Sequence, residues 1–396
     1  MKTKLMGIAL FMITVGAIAW YPRTQAGNVI VDNGYTRHVT TSQQPVVDVV
    51  FVLDTTGSMS GLIQTAKDKI WSIASTMASA QPAPEIRIGL VGYRDRGDAY
   101  VTRVVDLTSD LDSVYAALMA FEAGGGGDTP ESVNKALYDA IYKMSWSGGS
   151  QAYQTIFLVG DAPPHMDYNE IQYPELIATA TEKGIVINTI QCGEMPATVG
   201  PWTSIAALGQ GNFFQVEQAG GAVAYSTPFD DEIANLSAKL DMTRLYYGTE
   251  EERKRREDDA EAIEEIVVSA SKAAQARRGV FNAAPSGRKN LLGERELVDA
   301  VISGEVELAD LDKDELPAAL APMAPEEQVA YVGRLAEERQ EIQLRIQTLA
   351  ADRDAFIEQK VEEAGGLESS LDKKLYDAVK EQAGKAGLEY SDGPAY

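Results

Sequence analysis

Acidic and hydroxyl side chains follow an apolar run near the start of the chain, in the stretch FVLDTTGSMS (51–60). Asp54 ends the apolar run, and two hydroxyl residues, Thr56 and Ser58, follow it at alternate positions. An aspartate in this setting can act as a nucleophile, hold a metal ion or cap a helix. The stretch by itself does not choose among these three roles.

Two later segments carry the same residue types. GGGGDTPES (124–132) brings Thr129 to the start of a predicted helix, and LVGDAPPH (158–165) brings Asp161 to the end of a predicted strand. Ligands of open α/β sheets bind beyond the carboxyl ends of the strands. If the three segments are neighbours in the sheet, one crevice receives two carboxylates and three hydroxyls: Asp54, Thr56, Ser58, Thr129 and Asp161.

This set of side chains offers only oxygen ligands. Hard divalent cations prefer oxygen, and Mg²⁺ in particular binds beside one or two carboxylates while it keeps several waters. Because neutral hydroxyls leave positive charge on the ion, we expect the cation to accept a further anionic ligand from outside the chain. The residue types therefore predict a metal-mediated binding site.

The elements that would position this site alternate along the chain from Val46 to about Leu240. Continuous apolar runs such as VVDVVFVLD (46–54) and IVINTIQC (185–192) predict buried strands, and segments of helical periodicity separate them. Such alternation is typical of a mostly parallel sheet covered by helices on both faces. We predict a three-layer, Rossmann-like α/β domain.

The three segments together resemble the metal-ion-dependent adhesion site of the von Willebrand factor type A domain family. The resemblance covers residues 45–242. It implies that Asp54, Thr56 and Ser58 match the Asp-x-Ser-x-Ser element, that Thr129 matches the distant threonine, and that Asp161 matches the distant aspartate. Thr56 departs from the commoner serine but keeps the hydroxyl. The resemblance further implies that Mg²⁺, or sometimes Mn²⁺, binds an acidic residue of a protein partner, without catalysis.

Two other interpretations compete with adhesion. DTTGS is similar to the phosphorylation loop of haloacid dehalogenase-like phosphotransferases, in which the aspartate would be the nucleophile. That family would need a carboxylate at the position of His165, and no lysine is an obvious candidate for its activating role. The second alternative is a structural scaffold that binds no metal, since each segment alone could only cap a helix.

Composition limits the classes of partner and the cellular compartment. The net charge of −24 argues against binding nucleic acid or anionic lipid. Two lysines followed by the apolar run Leu5–Trp20 predict a signal peptide over residues 1–26, cleaved after Ala19 or Ala26. An uncleaved anchor is the alternative. We therefore expect export to the periplasm or the extracellular space, with Cys192 a buried thiol.

Residues 243–396 have a different composition, charge-dense and helix-favouring. Residues 250–278 predict a helix, GVFNAAPSGRKN (279–290) a break, and ERELVDAVISG (294–304) and KDELPAALAPM (313–323) short helices. Residues 325–364 predict a long helix whose apolar seam is interrupted by Arg339 and Arg353. The seam could pack against residues 263–270 or form an intermolecular coiled coil, and so support self-association.

Overall fold

The computed structural model describes residues 44–127, 129–149, 152–218, 225–363 and 371–390. The predicted signal peptide, residues 1–26, lies outside the described residues, so export stays a prediction. No helix among the described residues is both long enough and apolar enough to cross a membrane.

A six-stranded sheet forms the centre of the molecule, in the order β3-β2-β1-β4-β5-β6. Only β3 is antiparallel to its neighbour, β2, and all other pairs are parallel. This confirms the predicted mostly parallel sheet. The strands are β1 (Val46–Asp54), β2 (Glu85–Tyr93), β3 (Thr102–Thr108), β4 (Ala152–Gly160), β5 (Ile185–Cys192) and β6 (Gln210–Val216).

Helices cover both faces of the sheet because its strands are apolar on both sides. Alternate residues of β1 enter different cores: Val49 and Phe51 pack on one face, and Val50 and Val52 on the other. The three-layer α/β prediction is therefore confirmed. Helices α1 and α2 pack in the first core and α3, α4 and α5 in the second; their bounds are α1 (Ser60–Ala78), α2 (Leu111–Met119), α3 (Val133–Tyr142), α4 (Tyr173–Glu182) and α5 (Pro196–Leu208).

The remainder of the described chain is helical, as predicted, although some bounds differ. The predicted helix over 250–278 divides at Ala270, because the Ser271 hydroxyl caps a new helix by accepting the Ala274 N–H at 3.2 Å. The new helix runs into the predicted break. The helices are α6 (Asp230–Asp241), α7 (Glu250–Ser269), α8 (Lys272–Ala283), α9 (Arg288–Leu292), α10 (Leu297–Ser303), α11 (Pro325–Glu363) and α12 (Leu371–Gly384).

The prediction of a short helix over residues 313–323 is wrong. This segment forms successive turns. Pro317 and Pro322 explain the difference, since proline lacks the N–H that an interior helical position must donate.

The apolar seam of α11 packs within the chain. Val332 lies in a small core with Leu297 of α10, while Ile342 and Ile346 pack in another with Ile233 of α6. The predicted alternatives, packing against 263–270 and an intermolecular coiled coil, therefore give way to an intramolecular interface with α6, α8 and α10. Self-association through this seam would require the core to open.

The described residues from Gln44 onwards form one compact unit, which spans the predicted boundary at 242/243. The core on the α1 side of the sheet contains Phe281 of α8 and Tyr376 and Val379 of α12. The Arg278 side chain, 2% exposed, donates to Asp112 of α2 and Asp241 of α6 at 2.6 Å each. The helices that follow the sheet are therefore part of its packing.

Candidate metal centre

The sheet brings the first and third predicted segments to the same edge. Leu53 pairs with Val159 on the neighbouring strand β4, so Asp54 and Asp161 emerge side by side at the carboxyl ends of these strands. Gly160 permits this close approach, because a Cβ there would lie 2.9 Å from the Cβ of Asp54. The sheet edge therefore places two carboxylates together, as the sequence predicted.

The turn after β1 holds Asp54 in a defined orientation. One carboxylate oxygen, Oδ1, accepts hydrogen bonds from the Thr56 N–H at 2.8 Å and the Thr56 hydroxyl at 2.6 Å. The Ser58 hydroxyl lies 3.2 Å from that of Thr56. Asp54 is fully buried, and its second oxygen, Oδ2, has no hydrogen-bond donor among the described residues. Hydrogen bonds thus link Asp54, Thr56 and Ser58, and one carboxylate oxygen of Asp54 has no donor among the described residues.

The glycine-rich segment lies against this turn. Gly57 donates its N–H to the Gly125 carbonyl at 3.2 Å, and Gly124 donates to the Thr55 carbonyl at 3.1 Å. Gly125 and Gly126 both have positive φ, which glycine adopts without strain. Thr129 is exposed, three residues beyond Gly126. The segment that carries Thr129 is therefore anchored beside Thr56, while ligation by Thr129 itself stays a prediction.

Three further side chains, which the sequence motifs do not include, reach the site. Gln218 donates its side-chain N–H to Asp161 at 2.8 Å and to the Ser58 carbonyl at 3.3 Å. Tyr93 and Glu131 are buried, and the Tyr93 hydroxyl and Glu131 Oε2 have no hydrogen-bond partner among the described residues. In the sequence Glu131 is typical of a helix start, and only its burial, which sequence does not reveal, distinguishes it.

The electrostatics of the site indicate an excess of negative charge. Burial, with a contribution from Asp161, raises the pKa of Asp54 to about 7 despite the hydrogen bonds from Thr56. Burial raises the pKa of Glu131 to about 9, and Asp54 is the nearby charge that adds most to this shift. Burial, together with the carboxylates of Asp54, Glu131 and Asp161, raises the pKa of the Tyr93 hydroxyl well above its usual range. A cation at this position would relieve the repulsion.

The donor set fits a hard divalent cation. It consists of carboxylate and hydroxyl oxygens, and Asp54 Oδ2 is a buried carboxylate oxygen that lacks a donor among the described residues. Within the same part of the chain, no group of three or more His, Cys, Asp or Glu side chains has a metal-binding arrangement. The predicted ligand set differs from such a group, because three of its five side chains are the hydroxyls of Thr or Ser and only two are carboxylates.

Two other features of the sequence have local structural roles. The His165 ring stacks on Tyr168 and lies 3.3 Å from an Asp95 oxygen. In the tripeptide Arg-Gly-Asp at 96–98, the Asp98 carboxylate accepts the Gly126 N–H at 3.1 Å. Asp98 therefore supports the glycine-rich segment beside the site.

A family model described as von Willebrand factor A domain matches residues 48–224. This region of the chain is therefore similar to a von Willebrand factor A domain, and it contains all five predicted ligands and the whole sheet except the first two residues of β1. The family assignment made from the three segments is confirmed.

Individual relatives match only part of the chain. The mouse (Mus musculus) von Willebrand factor A domain-containing protein 7 is 35% identical over 120 residues, which cover 30% of this chain and 12% of that protein. The alpha-protein kinase vwkA of Dictyostelium discoideum is 30% identical over 121 residues, covering 30% of this chain and 19% of that protein. The match thus extends over less than a fifth of either relative.

Solved structures resemble a larger share of the chain. Proximal thread matrix protein 1 from the mussel byssus, in a form with a zinc-occupied adhesion motif, is 15% identical with a TM-score of 0.35, and the match covers 44% of this chain and 42% of that one. The strand order and pairing of this chain define its fold independently of that similarity.

Proposed function

We propose that this protein is a metal-dependent binding module in which a divalent cation, Mg²⁺ or Mn²⁺, captures an acidic side chain of a partner protein. The observation that supports it most directly is Asp54, buried at the sheet edge beside Asp161, with one oxygen fixed by Thr56 and the other without a donor among the described residues. Thr56, Ser58 and Thr129 would supply neutral ligands. When bound, the cation would provide an electrophilic centre for a carboxylate.

The first test is cation binding by the full chain. Asp54→Asn keeps the shape of the side chain and removes its charge, so we expect it to abolish the binding of Mn²⁺ and Mg²⁺ that the wild-type protein shows. Isothermal titration calorimetry measures the affinity, and thermal unfolding with cation or chelator measures the linked stabilisation. Asp167→Asn is the matched control, since the Asp167 side chain is 75% exposed. Equal binding by wild type and Asp54→Asn would contradict the proposal.

The second test concerns the acidic ligand. Arrayed peptides containing Asp or Glu, each beside its Asn or Gln counterpart, should retain the wild-type protein in Mn²⁺ and release it in chelator. Asp54→Asn should not be retained. Equal retention on the acidic and amide peptides would show that a carboxylate is not the feature recognised.

Phosphoryl transfer is the competing function, with Asp54 as nucleophile. The proposal of a non-catalytic module predicts no hydrolysis of p-nitrophenyl phosphate in Mg²⁺. Turnover that is present in the wild type and lost in Asp54→Asn would establish the phosphotransferase instead.

A further inference from the structure

A groove lies between helices α6 and α7, in the helical part of the chain. Its volume is about 510 Å³, and none of the five predicted metal ligands lines it. Helix α6 contributes Ala234 and Ala238 to its walls, and helix α7 contributes Ile263 and Val267. The turn at 317–319 adds a proline and two alanines. The walls of this α6–α7 groove are therefore largely apolar.

Apolar side chains along the groove are open to solvent. Met242 and Val268 both line it, and they are 74% and 67% exposed. Helix α7, which the structure describes throughout its 20 residues, has no buried residue. Its lining residues recur at spacings of three and four, so one face of α7 borders the groove. Apolar surface that is exposed along a groove is typical of a docking site.

The charges at the groove determine which partner fits it. Three exposed glutamates of α7 line it: Glu257, Glu261 and Glu264. None of the three has an ion-pair partner among the described residues. The two arginines that line the groove are already paired, since Arg244 lies 3.5 Å and Arg278 2.6 Å from oxygens of Asp241. The uncompensated charge at the groove is therefore negative.

We propose that the α6–α7 groove binds a basic, amphipathic helix of a partner protein. Apolar side chains of that helix enter the groove, and its Lys or Arg side chains meet the three glutamates. The lining residues of α7 extend from Glu257 to Val268, about 17 Å along the helix axis, so about three turns of a partner helix match them. This inference goes beyond the proposed function and does not rest on it.

A second copy of this chain fits the groove less well than a basic helix. Each copy has a net charge of −24, so two copies repel each other. The middle of α7 is itself acidic, with Asp258 and Asp259 beside the lining glutamates. Antiparallel pairing of two α7 helices would bring these acidic segments together.

Synthetic peptides test the two features of the partner. Fluorescein-labelled helical peptides with Leu along one face and Lys on both sides of it, in several registers, should bind the full chain. Fluorescence anisotropy measures the affinity in about 0.15 M salt, with chelator present so that the metal centre makes no contribution. Replacing the Lys residues by Glu, or the Leu residues by Ser, should each weaken binding at least about 10-fold.

Two results of the peptide experiment would overturn the inference. The first is that none of the Leu–Lys peptides binds the wild-type chain. The second is that the Leu-to-Ser peptides bind as tightly as their parents, because the attraction would then be electrostatic alone and would not involve the groove.

Charge reversal on α7 tests the place of binding. Glu257→Lys/Glu261→Lys should weaken binding of the Leu–Lys peptides about 10-fold or more, because like charges then meet. Glu337→Lys/Glu341→Lys on α11 is the matched control, since these two glutamates have the same spacing, are exposed and do not line the groove. It should change the affinity less than about twofold. Equal weakening by both variants would overturn the inference.

Sedimentation of the wild-type chain at increasing concentration tests the second copy as the occupant. We expect a monomer in chelator. A dimer that dissociates in Glu257→Lys/Glu261→Lys would assign the groove to self-association and overturn the proposed partner. Circular dichroism checks that both double variants keep the wild-type helix content, as expected for exposed side chains.

Discussion

Asp54 and Thr56 show how a single turn can prepare a carboxylate for a cation. The threonine occupies Oδ1 with two hydrogen bonds, so the carboxylate cannot rotate freely, and Oδ2 keeps its lone pairs. A serine at position 56 would offer the same hydroxyl, which explains why threonine is compatible with the site. At this scale the chemistry depends on groups close together in the chain.

Cys192 provides a prediction at the residue scale. The thiol is fully buried at the end of β5, and burial, with contributions from Asp161 and Asp54, raises its pKa. Since the thiolate is the reactive form, the native protein should not react with a thiol reagent such as dithionitrobenzoate between about pH 7 and about pH 9. The measurement is absorbance with and without urea, and one thiol should react only after unfolding. Rapid labelling of the native protein would show that Cys192 is accessible.

At the scale of elements, α11 shows why the heptad pattern is interrupted. This helix spans 39 residues, and its two seam arginines each meet an acidic partner inside the fold. Arg339 donates to Glu296 at 2.8 Å and to the Thr243 carbonyl at 2.7 Å, while Arg353 donates to Asp230 at 2.9 Å. The arginines therefore fit an intramolecular interface with acidic residues at the starts of α6 and α10.

The prediction for this element compares two arginines of the same helix. Arg339→Met leaves Glu296 buried without its charged partner, so it should lower the free energy of unfolding by about 3 kcal/mol. Arg345→Met breaks an exposed pair with Glu232 and should cost no more than about 1 kcal/mol. Urea denaturation followed by circular dichroism measures both. A similar loss for the two variants would show that the buried pair adds no more than the exposed one.

On the scale of the whole molecule, the chain returns to the sheet after the long helix. Helix α12 packs in the same core as β1 and α1. Gln382 of α12 accepts the Tyr153 hydroxyl at 2.7 Å and donates to the Asn188 side chain at 2.8 Å, so it also meets β4 and β5 through buried polar contacts. The segment from α6 to α11 therefore lies, in chain order, between the last strand and a helix that completes one face of the sheet.

This arrangement predicts that the sheet needs the C-terminal helix. A chain that ends at Met242 should unfold at a lower urea concentration than the full chain and bind a hydrophobic dye, because the apolar surface under α8 and α12 becomes exposed. Val379→Asp should likewise make the full chain unfold at a lower urea concentration, because the Val379 side chain is only 2% exposed. Val329→Asp on the outer face of α11 should leave the unfolding midpoint unchanged, because Val329 is 60% exposed. If the shortened chain matched the full chain in stability, the α/β region would be independent of these helices.

Local patterns in the sequence were sufficient to predict the alternating elements and the family, whereas ligation by the five predicted side chains stays a prediction. Apolar runs mark buried strands because both faces of a parallel sheet are covered, and the residues after those strands necessarily meet at one edge. The spacing of Asp54, Thr56 and Ser58 is itself a local property. These features depend on neighbours in the chain, which a sequence displays directly.

Only the tertiary structure placed Glu131, Gln218 and Tyr93 at the site and joined α8 and α12 to the core of the sheet. Glu131 looks like any acidic residue near a helix start until its burial and the lack of a donor among the described residues become visible. Likewise, the seam of α11 has the same period whether its partner is another chain or α6. Packing between residues far apart in the chain decides both questions, because burial and pairing are properties of the folded neighbourhood and not of the sequence period.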